Sequence, residues 1–371
     1  MLIRSAGYDK SRAKEVLAGH KLDAYVVGSP ENVFYVSGYP VRHSSPNPAP
    51  YVLQNQYPAF CVIDHEGEVT LVAWMAALRD REFDVKETVP AIDAAGAIEA
   101  LLSAVKAISG PNAVVGVDRG FPAFAYSSLI QELKIGRVAV DETPILRLRL
   151  KKSTEEKRRV LKSTDISERA IEVTAKTIKE GVSDLELVSD SKRAMMEAGA
   201  DACDHATIPI GDSNAEIPDG RVVRRGDVVG LDLGAIFFGY SSDTHRKFAV
   251  GDLSRASVEM QTKLIELVAK CGQRLRPGQK FSEVYNYAAG LYEELGISFV
   301  FPNVGHSIGI QTEEANLSYD SPFEIQDDMV INVELYGASE GAGFMGLEDT
   351  FLIESGTSKR VTKLPQGITA V

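Results

Sequence analysis

The sequence predicts an α+β protein in which a smaller α/β domain, residues 1–150, precedes a larger domain, residues 151–371. Two observations predict this class. In the first part, short apolar runs alternate with helical patterns, which is typical of helices packed on a mixed sheet. In the second part, capped helices alternate with longer β-prone runs that fold back on themselves, which favours an antiparallel sheet with helices outside. The basic stretch Leu146–Lys152 (LRLRLKK) marks the boundary between them.

The first domain contains two predicted helices, several short strands and one polar segment. The segment Val41–Gln56 is rich in proline and poor in structural signals, and a segment of that kind in a compact domain is either functional or mobile. The predicted elements, in order, are a helix near Lys10–His20, the strand LDAYVVG, the strands AFCVID and EVTLVAW, a helix over Ala94–Ile108 and a strand in Ala113–Asp118.

Capping signals start two helices of the second domain. Ser153 followed by Glu156 is a capping box, and the helix it begins keeps an apolar period to Lys179. Ser183 with Glu186 caps the next helix, which is expected to run to about Gly199. Further helices are predicted over Ala256–Arg274 and Phe281–Leu295.

The stretch Val228–Val250 (VVGLDLGAIFFGYSSDTHRKFAV) predicts a hairpin that carries two carboxylates. If the turn is centred between Phe237 and Phe238, Asp232 and Asp243 face each other on one side of the hairpin. The Cβ atoms of directly opposed residues in an antiparallel pair are about 5 Å apart. The two carboxylates would therefore repel each other unless a cation lay between them.

The same construction recurs in Met329–Ile353, where a glycine-rich turn at Gly341 places Glu334 opposite Glu348. Between the two hairpins lies His306, in the glycine-flanked run PNVGHSIG. Two aspartates, two glutamates and one histidine suit two divalent ions held about 3.5–4 Å apart, the arrangement of two-metal hydrolases.

These motifs resemble the creatinase / methionine aminopeptidase / Xaa-Pro peptidase family. The order DLG…GYSSD…R, GHSIG, Glu334 and GLEDT carries the resemblance, and LDAYVVGSPENVFYVSGYP is similar to the smaller domain of prolidases and creatinases. The resemblance implies a C-terminal pita-bread domain preceded by a creatinase-like N-terminal domain. It also implies a homodimer with two divalent ions, drawn from Mn, Zn, Co and Fe. The implied metal ligands are Asp232, Asp243, His306, Glu334 and Glu348.

Around the ligands, the chain departs from the family pattern. Peptidases of the family usually have a second histidine where HSIGIQTEEAN has Glu313, and a Pro-His pair where this chain has Asp219 after Pro218. Gly346 stands where an arginine usually precedes the last ligand, and Leu335 replaces a proline.

Four residues carry alternative interpretations. His245, two residues after Asp243 on a strand, either supplies the missing imidazole or orients a ligand carboxylate. Glu313 is either a proton donor with a raised pKa or a recognition group for a cationic substrate nitrogen, and nearby metal cations favour the second. Arg42 and His43 in the polar segment either are solvated or project into an active site.

Composition excludes several other functions. The chain has 371 residues, 44% of them hydrophobic, and no apolar run long enough to span a bilayer. A net charge of −12 argues against nucleic acid or an anionic membrane as partner. The three cysteines, Cys61, Cys203 and Cys271, form no disulfide framework, and no apolar signal segment follows Arg4. These features predict a cytoplasmic protein.

The predicted function is metal-dependent hydrolysis of a C–N bond in a short peptide or peptide-like amide, with Glu334 as proton acceptor and with His245 and Glu313 as further catalytic candidates. The alternative is a small zwitterionic metabolite as substrate, as in creatinase, ectoine hydrolase or dimethylsulfoniopropionate lyase. A non-catalytic binding module is the third possibility, although such modules usually lose metal ligands.

Overall fold

The computed structural model describes residues 2–40, 49–133, 136–213, 216–298 and 301–371. Arg42 and His43 lie outside the described residues. Contacts divide the chain into two compact units, Met1–Arg149 and Leu150–Val371. The mixture of helices and strands confirms the α+β class. No described helix combines the length and the apolar character needed to cross a membrane.

The first unit is built on a mixed six-stranded sheet. The eight strands described in this unit are β1 Leu2–Ile3, β2 Ala24–Val27, β3 Phe60–Asp64, β4 Val69–Trp74, β5 Glu82–Phe83, β6 Glu87–Ala91, β7 Val114–Val117 and β8 Arg137–Val140. Its helices are α1 Lys10–Gly19, α2 Pro30–Ser37, α3 Ala49–Val52, α4 Met75–Leu78, α5 Ala94–Ile108, α6 Ala123–Glu132 and α7 Thr143–Leu150. The large sheet has the order β6-β4-β3-β2-β7-β8, and β1 pairs with β5.

Apolar positions of the helices cover the sheet in this unit. In α5 the residues Ala97, Leu101 and Val105, spaced by four, are fully buried against Val62 and Val72 of the sheet. The predicted helices over Lys10–His20 and Ala94–Ile108 are confirmed.

The second unit has two five-stranded sheets. Its strands are β9 Ala202–Thr207, β10 Val228–Phe237, β11 Tyr240–Ser241, β12 Thr244–Ala249, β13 Asn303–Ser307, β14 Ala315–Ser318, β15 Val330–Ser339, β16 Gly343–Glu354, β17 Thr357–Arg360 and β18 Thr369–Ala370. Its helices are α8 Thr154–Ala175, α9 Asp184–Glu197, α10 Arg255–Arg274 and α11 Phe281–Glu294. One sheet has the order β11-β10-β12-β18 with β9 also on β10, and the other has the order β14-β13-β15-β16-β17.

Both predicted capping boxes are present, at Ser153 with Glu156 and at Ser183 with Glu186. Helix α8 ends at Ala175, four residues before the predicted end. Two of its serines form hydrogen bonds to strand β10, which carries Asp232: Ser163 Oγ donates to the carbonyl oxygen of Ala235 at 2.7 Å, and Ser167 Oγ accepts from the Ala235 amide at 3.0 Å. These bonds satisfy the backbone at the irregularity between Gly234 and Ala235, where β10 changes register with β9.

The buried carboxylate of Glu156 makes the stability of this unit depend on pH. Burial raises its pKa from 4.5 to about 7, although Tyr240 Oη donates to it at 3.1 Å. Because the folded state holds the proton more tightly, protonated Glu156 contributes to the free energy of unfolding. This contribution is complete below about pH 4.5 and is lost as pH rises through 7. We expect Glu156→Gln to gain stability relative to wild type between pH 5 and 8, by on the order of 3 kcal/mol at most. Urea unfolding at each pH measures this.

Glu155→Gln is the matched control on the same helical turn. Hydrogen bonding from Arg158 lowers the pKa of Glu155 to about 2, so its stabilisation is lost only at acid pH and is constant between pH 5 and 8. If the difference in free energy of unfolding between Glu156→Gln and wild type stays constant between pH 5 and 8, Glu156 is not protonated preferentially in the folded state.

Candidate metal centre

The first carboxylate hairpin forms, but with a register two residues from the predicted one. Asp232 pairs with His245, and the predicted pairing of Asp232 with Asp243 is wrong. The turn is centred between Phe238 and Gly239, which both have positive φ (47° and 79°), as a two-residue hairpin loop of type I′ requires. Because the shift is an even number of residues, the side chains keep their faces and both aspartates still point to one side.

The second hairpin has the predicted register. Glu334 pairs with Glu348 in the β15–β16 ladder, and Gly341 and Gly343 take positive φ in the turn. His306 lies on β13 beside this hairpin, where it pairs with Asn332 of β15. The sheet therefore brings His306, Glu334 and Glu348 to one place.

Asp243 lies at the meeting point of two groups of ligand atoms. Its Oδ1 is 3.0 Å from His205 Nε2, and its Oδ2 is 3.8 Å from His306 Nε2. Two groups of side chains are close enough together to hold a cation, one formed by His205, Asp232 and Asp243 and the other by Asp243, His306 and Glu348. Asp243 belongs to both groups, and one of its two carboxylate oxygens faces each group.

The second group is the more deeply buried of the two. His306 is 1% exposed and Glu348 is fully buried. His306 Nε2 lies 3.6 Å from Glu348 Oε1 and 4.0 Å from Glu334 Oε2. The other oxygen of Glu334 accepts a short hydrogen bond from the hydroxyl of Tyr336.

Buried polar contacts fix these carboxylates from behind. Asn332 Nδ2 donates to Glu348 Oε1 at 2.6 Å. Arg246 donates to the carbonyl oxygen of Glu348 at 2.6 Å and forms an ion pair with Asp349 at 2.6 Å. The guanidinium thereby ties β12 to β16, the returning strands of the two ligand hairpins.

The carboxylates of the site have strongly perturbed pKa values. Burial, followed by repulsion from neighbouring carboxylates, raises the pKa of Glu334 and Glu348. Burial also raises the pKa of Asp243, although the imidazole of His205 opposes this rise. Burial would also raise the pKa of Asp232, but the imidazoles of His245 and His205 outweigh it and hold this pKa below its usual value. Such a cluster stays ionised only beside compensating positive charge.

The donor set fits divalent cations. Within the described residues, several buried polar atoms have no hydrogen-bond partner, including both ring nitrogens of His306, Glu348 Oε2 and Asp232 Oδ1. Buried imidazole and carboxylate atoms are ordinarily paired, so the orphaned atoms indicate room for a cation. Oxygen-rich sites with imidazole suit Mn²⁺, Fe²⁺, Co²⁺ or Zn²⁺.

His245 lies behind the first group. It is 1% exposed, and its Nδ1 is 4.0 Å from Asp232 Oδ2, beyond hydrogen-bond distance. Burial, followed by the charge of Lys247, lowers the pKa of His245 to about 3. The ring is therefore neutral at physiological pH.

Three of the departures from the family pattern, Glu313, Asp219 and Gly346, lie in different surroundings. Glu313 is exposed, and its charge raises the pKa of Glu334. Asp219 is exposed in the loop before β10 and belongs to neither of the two groups of candidate metal ligands. Gly346 faces Tyr336 and His245: a Cβ added at Gly346 would lie 2.6 Å from Tyr336 Cε1 and 2.8 Å from His245 Cε1. These rings fill the space beside Gly346.

Sequence reasoning missed His205, which is on β9 and points into the site. The run ACDHAT has no alternation of apolar and polar residues, so it gives no strand signal. The sequence did contain one signal for it, because the pair Asp204-His205 places an imidazole some 27 residues before Asp232. Only the pairing of β9 with β10, however, shows that it reaches Asp232 and Asp243.

Comparison with known proteins agrees with this arrangement. Residues 158–355 match the model of Metallopeptidase family M24, and residues 10–151 match that of the Creatinase/Prolidase N-terminal domain. The chain belongs to metallopeptidase family M24, and it pairs a creatinase-type N-terminal domain with a pita-bread domain.

Its relatives include Xaa-Pro dipeptidases. The chain is 24% identical over 355 residues to the Xaa-Pro dipeptidase of Pyrococcus horikoshii, covering 94% of this chain and 95% of the relative. The fold is similar to the prolidase structure from the same organism (TM-score 0.81, 23% identity, 96% and 98% covered) and to the Pyrococcus furiosus prolidase structure (TM-score 0.79, 22% identity, 95% and 99% covered).

Proposed function

We propose that this chain is a metal-dependent hydrolase that cleaves the peptide bond before proline in short peptides. The observation that carries the proposal is the position of Asp243, with one carboxylate oxygen toward each of two groups of ligand atoms. The Xaa-Pro dipeptidase relatives support the peptidase over a metabolite hydrolase, a lyase or a binding module.

The proposed cofactors are two divalent ions, drawn from Mn, Zn, Co and Fe. The side chains that would hold them are Asp232, Asp243, His306, Glu334 and Glu348. When bound, such ions acidify a water molecule and polarise the substrate carbonyl. The cluster of buried carboxylates with raised pKa values supports this charge balance.

Glu334 is the proposed proton acceptor for the attacking water. It is the ligand carboxylate whose one oxygen accepts from Tyr336 while the other faces His306 at 4.0 Å. The hydroxyl of Tyr336 fixes the carboxylate plane, which a proton-accepting group in a near-attack geometry needs. His245, neutral and buried behind Asp232, is proposed to position that carboxylate.

The test of the proposal is metal-dependent cleavage of a proline dipeptide. Protein stripped with chelator and reconstituted with Mn²⁺, Co²⁺, Zn²⁺ or Fe²⁺ should hydrolyse Ala-Pro with kcat in the ordinary range of roughly 1–10³ s⁻¹, and Ala-Ala much more slowly. Metal analysis should give two ions per chain. A folded protein that binds two ions but cleaves neither dipeptide would reject the proposed substrate, and activity that survives full chelation would reject the metal chemistry.

Glu313 is the proposed recognition group for a positively charged substrate nitrogen. It is exposed, and it lies close enough to the ligands to raise the pKa of Glu334. We expect Glu313→Gln to raise KM several-fold while kcat stays within about twofold, because the interaction is equally strong in the ground and transition states. Steady-state kinetics with Ala-Pro measures both constants.

Glu340→Gln is the control for Glu313, since Glu340 is an exposed carboxylate in the turn of the second hairpin. A collapse of kcat with unchanged KM in Glu313→Gln would assign the residue to the transition state instead. Arg42 and His43 keep their proposed role in substrate binding, and alanine variants should likewise affect KM.

We further propose a homodimer in the cytoplasm. A reducing compartment is supported by the three free cysteines, of which Cys61 and Cys271 are buried. Light scattering of the purified protein decides the oligomeric state: a dimeric mass supports the proposal, and a fully active monomer contradicts it.

A further inference from the structure

We propose that His205 is a sixth metal ligand, which gives the ion beside Asp232 an imidazole of its own. This inference rests on the proposed metal-dependent function and adds a residue to the predicted ligand set. The two groups of side chains would then each contain one imidazole, His205 in the first and His306 in the second, joined by Asp243.

Distances around His205 fit a shared ion. Its Nε2 is 3.0 Å from Asp243 Oδ1 and 3.5 Å from Asp232 Oδ1. Two ligand atoms that each lie about 2.1 Å from one ion are separated by about 3.0 Å at a right angle and by about 3.4 Å at a tetrahedral angle. Asp232 Oδ1 is also one of the buried atoms without a hydrogen-bond partner in the described part of the chain. The ligand atoms of His205, Asp232 and Asp243 all lie within 4.8 Å of one another, which is close enough to share one ion.

The fold makes room for this imidazole at Gly234. Gly234 of β10 pairs with His205 of β9, and a Cβ added to Gly234 would lie 2.3 Å from His205 Cε1 and 2.4 Å from its Nδ1. The ring therefore packs directly on the glycine backbone. A side chain of any size at position 234 would displace the ring from its present position, and its Cβ would also lie 2.7 Å from the carbonyl oxygen of Ser242.

A carboxylate lies beside the other ring nitrogen of His205. Asp204 Oδ2 is 3.5 Å from His205 Nδ1 and accepts a short hydrogen bond from Thr312 Oγ1. Ser241 Oγ lies 3.5 Å from the other Asp204 oxygen. Metal-binding histidines commonly present one nitrogen to the ion and the other to a carboxylate, which fixes the tautomer that leaves Nε2 free to bind.

His245, the other imidazole near Asp232, lacks this arrangement. Its Nδ1 is 4.0 Å from Asp232 Oδ2. Within the described residues, His245 belongs to neither of the two groups of side chains that are close enough together to hold a cation. His205 is instead the imidazole grouped with Asp232 and Asp243, so it is the residue that completes the site.

Metal titration of His205→Ala tests the proposal without reference to activity. Isothermal titration calorimetry with Mn²⁺ alone, on the stripped full-length chain, should show two sites in wild type. In His205→Ala we expect one site to be retained and the other to weaken by more than about 100-fold, beyond what the loss of a residue that only orients a ligand costs. His65→Ala, which removes a histidine side chain that is 66% exposed, should match wild type.

Gly234→Ala provides a second variant that keeps the imidazole but displaces it. It should weaken the same site, whereas Gly290→Ala, where an added Cβ meets nothing within 4 Å, should bind as wild type does. Circular dichroism of each variant establishes that it folds. A shift of Ser242 that moved Asp243 would weaken both sites, so a folded Gly234→Ala in which only one site is weakened carries the conclusion even if His205→Ala fails to fold.

A crystal structure of the zinc-loaded wild type gives the direct answer. We expect His205 Nε2 about 2.0–2.1 Å from the ion beside Asp232. Two ions with His205 beyond bonding distance, together with wild-type affinity in His205→Ala, would overturn this inference and leave the proposed function standing. A wild type that binds no metal would overturn both.

Discussion

Replacing Asp243 with alanine is expected to remove both metal ions and to lower kcat/KM for Ala-Pro by at least about 10⁴-fold, or about 5 kcal/mol of transition-state stabilisation. The reason is geometric: its two oxygens face different groups of ligand atoms, so one substitution removes a ligand from each. Elemental analysis of the purified variant and steady-state kinetics measure the two effects.

Asp252→Ala is the matched control, because Asp252 is an exposed aspartate just beyond β12. The variant at Asp243 should stay folded, since it removes a negative charge from a cluster in which burial and repulsion already raise the pKa of Glu334 and Glu348. Retention of one tightly bound ion in Asp243→Ala would show that its carboxylate serves a single site, and wild-type activity would exclude it from the centre.

The two ligand hairpins show how far sequence reasoning reaches. In the second hairpin, Gly341 and Gly343 mark the turn, and the pairing of Glu334 with Glu348 follows correctly. In the first, Phe238 takes a positive φ that non-glycine residues rarely adopt, so the turn lies one residue later than its sequence suggests. Because side chains alternate with a period of two along a strand, Asp232 and Asp243 still lie on the same face of the hairpin after this shift.

Contacts between distant segments could not be predicted in the same way. His205 enters the site because β9 adds to the far side of β10, and its strand has no apolar alternation. The fully buried ion pair of Lys152 with Glu314, 2.7 Å apart, joins residues more than 160 positions apart and leaves no local signal. Capping boxes, by contrast, are complete within four residues, which is why the starts of α8 and α9 follow from the sequence.

The second large effect is expected at Arg246, beneath the centre. Its guanidinium is 3% exposed and contacts Asp349 Oδ1 and the carbonyl oxygen of Glu348, each at 2.6 Å. Arg246→Met leaves the fully buried Asp349 without its closest cation, and breaking a buried pair of this kind costs about 3–5 kcal/mol. We expect that loss in urea unfolding of the metal-free protein, together with weaker Mn²⁺ binding, because Glu348 would no longer be held against β12.

Two comparisons separate the buried pair from a general effect of charge. Arg255→Met removes an arginine whose side chain is 92% exposed and which pairs with Glu259 at 2.7 Å, so it should change stability by less than about 1 kcal/mol. The double variant Arg246→Met with Asp349→Leu removes both charges and should be less destabilised than Arg246→Met alone, because no buried carboxylate is left uncompensated. If the double variant is instead destabilised as much as Arg246→Met or more, the guanidinium acts through packing and its backbone hydrogen bonds, and the carboxylate of Asp349 is satisfied by hydrogen bonds from Arg360, Thr362 and Gln366.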